Sequence, residues 1–297
     1  MELRQLRYFV AVATELHFSR AAARLHVAQP ALSQQIGKLE RELGVRLLAR
    51  SRRRVSLTEP GRVFLEQAKR TLAAAEGGVR AVRRAALGEI GTLRVGYVDL
   101  ATWLVFPSML RAYRARYPGV DVTLWERHRE SQREALQGGE LDVGFFTLLS
   151  RDRGLTGVQV ALEPLVAAVP EGHALAGTSR IALQALADEA WVLFPADLRT
   201  RYVELVLETC NAEGFLPRVV QEASQVHTLV GLVSAGIGVT LIPRGLAAVP
   251  RAGVVYRPLS EEAPVLPLHV VWREGELSPA AARFVELARS FRSGGTA

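Results

Sequence analysis

The sequence contains one cysteine, Cys210, among its 297 residues. A single cysteine excludes an intramolecular disulfide and any cysteine-rich metal site. Because Cys210 lies in a helical pattern (VELVLETCNAEG), a buried structural thiol is favoured over a redox sensor. The chain has no run of eighteen apolar residues, and its start (MELR) lacks the apolar core of a signal peptide. We therefore expect a cytoplasmic location and no membrane partner.

Signatures of catalysis are also missing. The sequence has no G-x-S-x-G, no G-x-x-x-x-G-K-[ST], no H-E-x-x-H and no paired cysteine and histidine ligands. Its histidines are scattered, and each fits a surface or core position better than a catalytic one: His17, His26, His128, His173, His227 and His269. We therefore expect no enzyme activity, no catalytic residue, no metal site and no cofactor.

Positive charge is distributed unevenly along the chain, whose formal net charge is +7. Residues 1–90 contain 17 arginines and lysines against 8 acidic residues, which is +9. Residues 91–297 contain 20 against 22, which is −2. This asymmetry indicates a polyanion as the partner of the first third and a different partner for the remainder.

Two short helices joined by a tight turn are predicted over Phe18–Leu25 and Pro30–Leu43. Pro30 suits the first turn of the second helix, and Gly44 suits its end. In that helix four apolar residues recur at helical spacing and predict one buried stripe: Leu32, Ile36, Leu39 and Leu43.

The face opposite this stripe presents polar side chains that are able to reach base edges and phosphates. Such a face is typical of a helix-turn-helix whose second helix enters a major groove. Two amphipathic helices and a turn also occur in helical bundles, so the helical pattern alone leaves both interpretations open. The residues on this face and at its tip are Gln29, Pro30, Ser33, Gln34, Gly37 and Lys38.

The flanking segments extend the pattern. Residues 3–14 predict a first helix that completes a three-helix core, and Ser19 is placed to cap the second helix. Residues 45–48 and 54–57 predict the two strands of a hairpin wing. Beside a helix-turn-helix, the arginines of this wing favour phosphate or minor-groove contact over a merely solvated face. The apolar face of the first helix carries Leu3, Leu6, Phe9, Val10 and Ala13, and the wing arginines are Arg50, Arg52, Arg53 and Arg54.

A long helix is predicted from Glu59 to about Gly88, with Thr58 as its N-cap. Gly77 and Gly78 each cost about 1 kcal/mol relative to alanine, so this helix gains from a partner. We predict homodimerisation along a heptad seam, and packing on the chain's own C-terminal domain is the alternative. The seam comprises Leu65, Ala68, Leu72, Ala75, Val79, Val82 and Ala86.

From Thr92 the pattern changes to alternating strands and helices. This order predicts a parallel sheet with helices on both faces, arranged in two lobes. A cleft is expected at the carboxyl ends of the strands, where ligands bind in such sheets. The predicted strands are 93–97, 120–124, 141–146, 165–170, 191–194, near 219, 237–243 and 268–273, and the helices are 103–117, 131–137, near 183–187, 202–213, 226–235 and 279–291.

The whole chain resembles the LysR-type transcriptional regulators. The resemblance is strongest over Met1–Gly61, where LRYFVAVATELHFSRAAARLHVAQPALSQQIGKLERELGVRLLAR followed by SLTEPG is close to the family's N-terminal signature. Looser matches are ELDVGF at 140–145 and GLVSAGIGVTLIP at 231–243. Within the family the chain is similar to members that respond to aromatic-pathway acids.

The resemblance implies an α/β multidomain protein that binds promoter DNA as homodimers assembled into homotetramers. It also implies a small-molecule effector, contact with RNA polymerase, and an effector domain like a periplasmic binding protein. The implied domains are a winged helix-turn-helix over 1–58, a linker helix over 59–88 and an effector domain over 91–297, with lobe I at 91–163 and 268–297 and lobe II at 164–267.

By position, several residues of the first domain correspond to residues that touch DNA in the family. Ala31 and Gln34 depart from the family, in which proline and arginine are common at these places. Because glutamine contacts adenine bidentately whereas arginine favours guanine, a different half-site preference is expected. Ala28 replaces the usual serine or threonine cap. The predicted DNA contacts are Gln29, Pro30, Ala31, Ser33, Gln34, Lys38, Arg50, Arg52, Arg53 and Arg54.

In the cleft, the family holds an effector carboxylate with small hydroxyl residues after the first and second strands, where this chain carries Asp99 and Arg129. Asp99 repels an anion, whereas Arg129 and His128 attract one. The alternative is a salt bridge between Asp99 and Arg129 that closes the cleft. The predicted effector contacts are Asp99, Leu100, Thr102, Arg129, Phe146, Arg199, Thr200 and Tyr202.

Three classes of function follow. The chain is expected to be a ligand-responsive DNA-binding regulator that senses a small molecule, with an acidic metabolite favoured. A DNA-binding regulator without an effector is the second interpretation. A cytosolic enzyme or solute-binding module is the third, and it leaves the charge of +9 unexplained.

Overall fold

A computed structural model of the protein describes residues 1–50, 55–147, 154–195, 201–275 and 277–292. The chain divides into two compact units, Met1–Arg84 and Ala85–Ala297. None of the described helices is long and apolar enough to cross a membrane. Five predicted contacts lie outside the described residues: Arg52, Arg53, Arg54, Arg199 and Thr200.

The N-terminal unit contains three short helices, a two-stranded wing and a long helix. The first wing strand begins at Leu48 rather than at the predicted residue 45, and the other element ends agree with prediction to within two residues. Leu48 pairs with Leu57 in an antiparallel register. The elements are α1 (Leu3–Glu15), α2 (Phe18–Leu25), α3 (Gln29–Leu43), β1 (Leu48–Arg50), β2 (Val55–Leu57) and α4 (Glu59–Ala86).

The helix starts depend on local hydrogen bonds. His17, rather than the predicted Ser19, caps α2, because its Nδ1 accepts a hydrogen bond from Arg20 N–H at 3.4 Å. Ser19 already lies inside the helix. Thr58 caps α4 as predicted, since its hydroxyl oxygen accepts the Gly61 N–H at 3.0 Å.

The core of the N-terminal unit forms where the apolar stripes of its helices meet. Leu32, Ile36 and Leu39 of α3 are fully buried, as their spacing predicts. Leu3 and Leu43, at the outer ends of their helices, are 44% and 37% exposed and lie beyond the stripe. Leu43 instead lines an apolar pocket of about 440 Å³ beside the start of α4.

The predicted seam of α4 is divided between two environments. Leu65, Ala68 and Leu72 belong to or pack against the unit's own core, and Ala68 is 1% exposed. Val79 and Val82 are 53% and 71% exposed. The later part of the seam is therefore the part that is open to a partner.

The C-terminal unit is a mixed α/β structure. The segment predicted as one helix over 103–117 is a 3-10 helix, Asp99–Trp103, followed by α5, and β10 has no counterpart among the predicted strands. The elements are β3 (Ile90–Tyr97), α5 (Phe106–Arg116), β4 (Gly119–Glu126), α6 (Arg129–Gln137), β5 (Val143–Phe146), β6 (Leu155–Pro170), β7 (Ala190–Leu193), α7 (Arg201–Ala212), β8 (Arg218–Glu222), α8 (Val226–Ser234), β9 (Thr240–Pro243), β10 (Val254–Pro258), β11 (Val265–Arg273) and α9 (Pro279–Arg292), with further 3-10 helices at Leu183–Leu186 and Arg244–Ala248.

The main sheet has the strand order β10-β6-β11-β5-β3-β4, and β9 also pairs with β6. β3 runs parallel to β4 and β5, whereas the pairs made by β6 and β11 are antiparallel. The predicted parallel pairing is confirmed for β3, β4 and β5, and β7 and β8 also pair in parallel, but the main sheet as a whole is mixed. The reason is that β6 and β11 pass through the unit in opposite directions, which places them side by side without a helical crossover.

Two hydrophobic cores lie along these shared strands and define two lobes. Val158 and Val160 of β6 belong to the core around α5 and α9, and Leu165 further along β6 belongs to the core around α7 and α8. β11 likewise contributes Leu268 to the first core and Leu266 to the second. The carboxyl ends of β3, β4 and β5 therefore lie where the first lobe gives way to the second.

The ELDVGF segment has a structural role in the first lobe. The Asp142 carboxylate accepts the Arg94 backbone N–H at 2.7 Å and two guanidinium N–H groups at 2.9 and 3.1 Å. The hydrogen bond to Asp142 raises the pKa of Arg94. These bonds join the start of β5 to β3.

Candidate DNA-binding surface and effector cleft

The outward face of α3 carries the side chains that the sequence predicts to contact DNA. Their neighbours Leu32 and Ile36, on the opposite face, have no exposed surface. At Gly37 no neighbouring atom of the described residues lies within 4 Å of where a Cβ atom would be, so another molecule is able to approach the backbone closely. The exposed residues are Gln29, Pro30, Ala31, Gln34 and Lys38, and Ser33 is half-buried.

The start of α3 has no side-chain cap. Ala28 makes no capping hydrogen bond, and Pro30 lies in the first turn. The first N–H groups of the helix are therefore not satisfied by an N-cap side chain. A helix start in this condition suits a phosphate, because its N–H groups and its dipole favour negative charge.

The wing is attached to α3 through a residue that sequence reasoning missed. The Glu40 carboxylate accepts the N–H groups of Leu47 and Leu48 at 2.9 and 3.0 Å. Thr58 supports the other side, because its hydroxyl donates to the Arg46 carbonyl at 2.7 Å. Arg50 is the last residue of β1, so the wing extends from a fixed base on α3.

Lys38 lies near the C-terminal part of the exposed face. Its Nζ is 4.0 Å from a Glu42 oxygen, and its side chain is 52% exposed. Glu42 also binds the N-terminal ammonium at 2.7 Å, and this hydrogen bond lowers the pKa of Glu42. Glu42 is thus shared between two cations, and the exposed Lys38 ammonium retains donors for a phosphate.

In the C-terminal unit, a buried side-chain amide fixes the start of α6. Gln132 has no exposed surface. Its Nε2 donates to the Arg127 carbonyl at 2.8 Å, and its Oε1 accepts the Phe145 N–H at 3.2 Å. These two bonds tie α6 to the end of β5 and hold Arg129, the first residue of α6, at the strand ends.

Asp99 joins the two lobes. It follows β3, and its Oδ2 accepts the N–H of Val226, the first residue of α8, at 3.2 Å. A carboxylate at a helix start is favourable because of the helix dipole. The Val226 N–H is therefore already bonded to Asp99 and is not available to an anionic ligand in the second lobe.

Arg129 and Phe146 lie together in the first lobe. The Arg129 guanidinium is 5.9 Å from the centre of the Phe146 ring and forms an ion pair with Glu130 at 2.7 Å. Within the described part of the chain, Asp99 and Arg129 are not joined by a salt bridge, because Asp99 turns to Val226. The alternative of a cleft closed by that salt bridge is therefore wrong for this structure.

Three further predicted contacts have structural roles. Leu100 belongs to the core of the second lobe, and the Thr102 hydroxyl donates to the Asp99 carbonyl at 2.7 Å. Tyr202 is 1% exposed, and its hydroxyl donates to the Leu241 carbonyl. Burial raises the pKa of Tyr202. The structure thus brings Asp99, Arg129 and Phe146 to the strand ends and turns Tyr202 into the lobe core.

Glu163 lies near the middle of β6, where the strand passes from one lobe to the other. Burial raises the pKa of Glu163, and a hydrogen bond from the Gly245 N–H partly opposes this change. A Cβ atom at Gly245 would lie 3.1 Å from the Trp103 carbonyl oxygen, so the 3-10 helices Asp99–Trp103 and Arg244–Ala248 lie close together here. Sequence reasoning missed Glu163 because its environment is non-local.

A basic unit that presents an exposed helix-turn-helix, followed by a two-lobed α/β unit, defines a DNA-binding regulator with a ligand-binding domain. Comparison with known proteins agrees. A family model described as the LysR substrate binding domain matches residues 86–292, and one described as bacterial regulatory helix-turn-helix protein, lysR family, matches residues 3–62. The chain belongs to the LysR family of bacterial transcriptional regulators.

Similar proteins match over nearly their full length. The HTH-type transcriptional regulator IlvR of Caulobacter vibrioides is 39% identical over 291 residues, which is 97% of each chain. The HTH-type transcriptional regulator AlsR of Bacillus subtilis is 36% identical over 289 residues, 97% of this chain and 95% of that one. These relatives are transcriptional regulators.

Two solved structures are similar to the whole chain. The LysR family regulator CbnR superposes with a TM-score of 0.90 at 32% identity, over 97% of this chain and 100% of that one. Full-length CbnR in complex with its target DNA superposes with a TM-score of 0.87 at 32% identity, over 98% of this chain and 99% of that one. The protein is therefore a ligand-responsive, DNA-binding transcriptional regulator.

Proposed function

We propose that this regulator binds promoter DNA by inserting α3 into a major groove and placing the wing along the neighbouring backbone. The observation that carries this proposal is the exposure of the polar face of α3 while Leu32, Ile36 and Leu39 hold the opposite face in the core. The proposed base and phosphate contacts are Gln29, Pro30, Ala31, Ser33, Gln34 and Lys38 from α3 and Arg50, Arg52, Arg53 and Arg54 from the wing.

The test is a gel shift against a random-sequence duplex library at about 50 mM and about 200 mM salt. Binding is expected to weaken by about 10³-fold or more between these conditions if six or more phosphates are contacted. As a control, the isolated C-terminal unit carries no excess positive charge and is expected to leave the duplex unshifted. A full-length chain that shifts no duplex at the lower salt concentration would overturn the proposal.

We propose that the chain dimerises through α4. The seam comprises Leu65, Ala68, Leu72, Ala75, Val79 and Val82. Because the first three contact the unit's own core, the contact between chains depends mainly on the exposed Val79 and Val82. The apolar pocket lined by Leu43, Val45 and Val63 is a further surface for the partner.

The effector is proposed to be a small organic acid in the cleft, held by Arg129 with support from Phe146. The proposed site also includes Asp99, Thr102, Arg199 and Thr200, whereas Leu100 and Tyr202 are left out because both are buried in the core of the second lobe. Support comes from the Arg129 guanidinium at the strand ends and from the engagement of Asp99 with α8, which directs its charge to a helix start. We further propose that the dimers assemble into tetramers in the cytoplasm, contact RNA polymerase and catalyse no reaction.

A further inference from the structure

His269 lies near the middle of β11, level with the last residue of β5. It is the register partner of Phe146 on one side and of Gln159 of β6 on the other. Register partners in a sheet point to the same face. His269 therefore shares the face that carries Phe146, over whose ring the Arg129 guanidinium lies.

The sheet is irregular at this point. The register between β11 and β6 shifts between Leu268 and His269, so that Val160 has no partner of its own. Irregularities of this kind change the direction of a side chain and occur often beside functional sites. Leu268 and Val270, on either side of His269, point instead into the core of the first lobe.

The imidazole of His269 is only partly satisfied. Its Nδ1 is buried and has no hydrogen-bond partner among the described residues. Burial lowers the pKa of His269, which favours the neutral imidazole. An unsatisfied buried nitrogen is destabilising, and its presence suggests a group that arrives from outside.

We propose that His269 contacts the effector and, together with Arg129, selects small organic acids over their neutral counterparts. This inference rests on the acidic effector proposed above. Arg129 supplies the positive charge, and the neutral imidazole, with its proton on Nδ1, donates a hydrogen bond to an oxygen of the acid. Asp99 does not oppose an anion here, because its carboxylate faces the start of α8.

The test compares full-length wild-type protein with two variants, His269→Asn and His269→Leu. The amide of asparagine places a donor near the position of Nδ1, whereas leucine fills the space without a polar atom. The probes are acetate, succinate and benzoate, each paired with its neutral amide. Binding is measured by calorimetry, and the melting temperature is recorded with and without each probe.

The wild type is expected to bind at least one of the acids and not the matching amide. His269→Leu is expected to weaken that binding by about 10- to 100-fold, because a hydrogen bond to a charged group is lost. The affinity of His269→Asn for the acid is expected to fall by less than about tenfold, because a hydrogen bond remains possible. Without a probe, His269→Leu is expected to melt at a higher temperature, which a purely structural role of His269 would not produce.

The inference fails if no acid binds the wild type, if acid and amide bind equally, or if both variants bind the acid as the wild type does. If His269→Leu does not fold, the comparison of acid binding with amide binding in the wild type decides, and equal binding overturns the inference. DNA binding without a probe is expected to be the same in all three proteins. Loss of DNA binding by the wild type would contradict the regulator's proposed DNA contacts, whereas DNA binding without acid selectivity would contradict only this inference.

Discussion

At the scale of single residues, α3 separates folding from DNA recognition within one helical turn. Ile36 has no exposed surface, while Gln34, two positions earlier, is exposed. Because adjacent positions differ by about 100° around the helix axis, a change at Gln34 leaves the core intact. A substitution on the exposed face of α3 is therefore able to change the preferred DNA sequence without loss of stability.

We predict that Gln34→Arg changes base preference from adenine to guanine at one half-site position. Glutamine pairs bidentately with adenine and arginine with guanine, with about 1–3 kcal/mol of discrimination. Selection from a random duplex library measures the preference. The control is Lys38→Ala. It is expected to weaken binding to all DNA sequences alike and to reduce the slope of log K against log salt concentration by about 1. An unchanged selected motif for Gln34→Arg would refute the base contact.

We predict that Glu163→Gln stabilises the protein at about pH 7. The folded pKa of Glu163 is raised above the ordinary value of 4.5, so the folded state resists ionisation more than the unfolded state. The stability contribution is present below pH 4.5 and is lost as the pH rises through the folded pKa. Glutamine does not titrate and its oxygen still accepts the Gly245 N–H.

Melting temperatures of wild type and Glu163→Gln at two pH values check this prediction. The variant's advantage is expected near neutral pH and is expected to shrink below the ordinary glutamate pKa. The same difference at both pH values would show that burial of the charge is not the cause.

At the scale of elements, α4 is one helix in two environments. Its first half completes the core of the N-terminal unit, and its second half exposes Val79 and Val82. Heptad spacing in the sequence marks both halves equally, because periodicity identifies a buried stripe but not what buries it. The division became visible only from the contacts.

We predict that Val82→Asp reduces the mass of the protein in solution from dimer to monomer without unfolding it. A charge in an apolar seam is costly to bury, while Val82 is 71% exposed in the chain by itself. Ala81→Asp is the matched control, because it adds the same charge one residue away, off the seam. Light scattering measures the mass. If Val82→Asp remains a dimer, the proposed contact between chains through α4 is contradicted.

Leu72→Asp is expected to behave differently, because Leu72 packs on the core of its own unit. It is expected to lower the free energy of unfolding by about 1–3 kcal/mol. A loss of dimer in this variant would therefore not by itself identify the interface.

The sequence predicts strongly periodic elements well and non-local ones poorly. The three short helices and Thr58 as a cap follow from spacing and local chemistry. β6 was predicted only over its second half, because Glu163 and Pro164 interrupt the apolar run there. The direction of the Tyr202 hydroxyl was not predictable, since its acceptor, the Leu241 carbonyl, lies on another element.

At the scale of the whole molecule, the charge asymmetry of the sequence coincides with the division into two units. The family and the DNA-binding function were predictable because they depend on a contiguous signature. The cleft was less predictable, because Asp99 and Val226 meet only through the arrangement of the lobes. The contribution of His269 depends likewise on strand register.

We predict that Asp99→Ser lowers the melting temperature of the unliganded protein and strengthens acid binding. The substitution removes the bond to the Val226 N–H, which leaves a helix-start amide and its dipole available to an anion. The loss of stability is expected to be about 1 kcal/mol. Calorimetry with benzoate and succinate measures the affinity.

Asp121→Ser provides the control, because Asp121 is an exposed carboxylate on β4 of the same unit. It is expected to change neither stability nor affinity. Acid binding that is weaker in Asp99→Ser than in the wild type would show that Asp99 assists the ligand rather than competing with it.

The passage of β6 and β11 through both lobes limits how the cleft is able to respond to a ligand. Lobes joined by a flexible linker swing apart, but these lobes share two hydrogen-bonded strands whose register runs from Val265 to Arg273. Separation of the lobes would break the hydrogen bonds between β6 and β11, whereas a small change in the twist of these strands would preserve them. Ligand binding is therefore expected to rotate one lobe relative to the other by a few degrees about the shared strands β6 and β11. No hinge between the lobes is needed for this change.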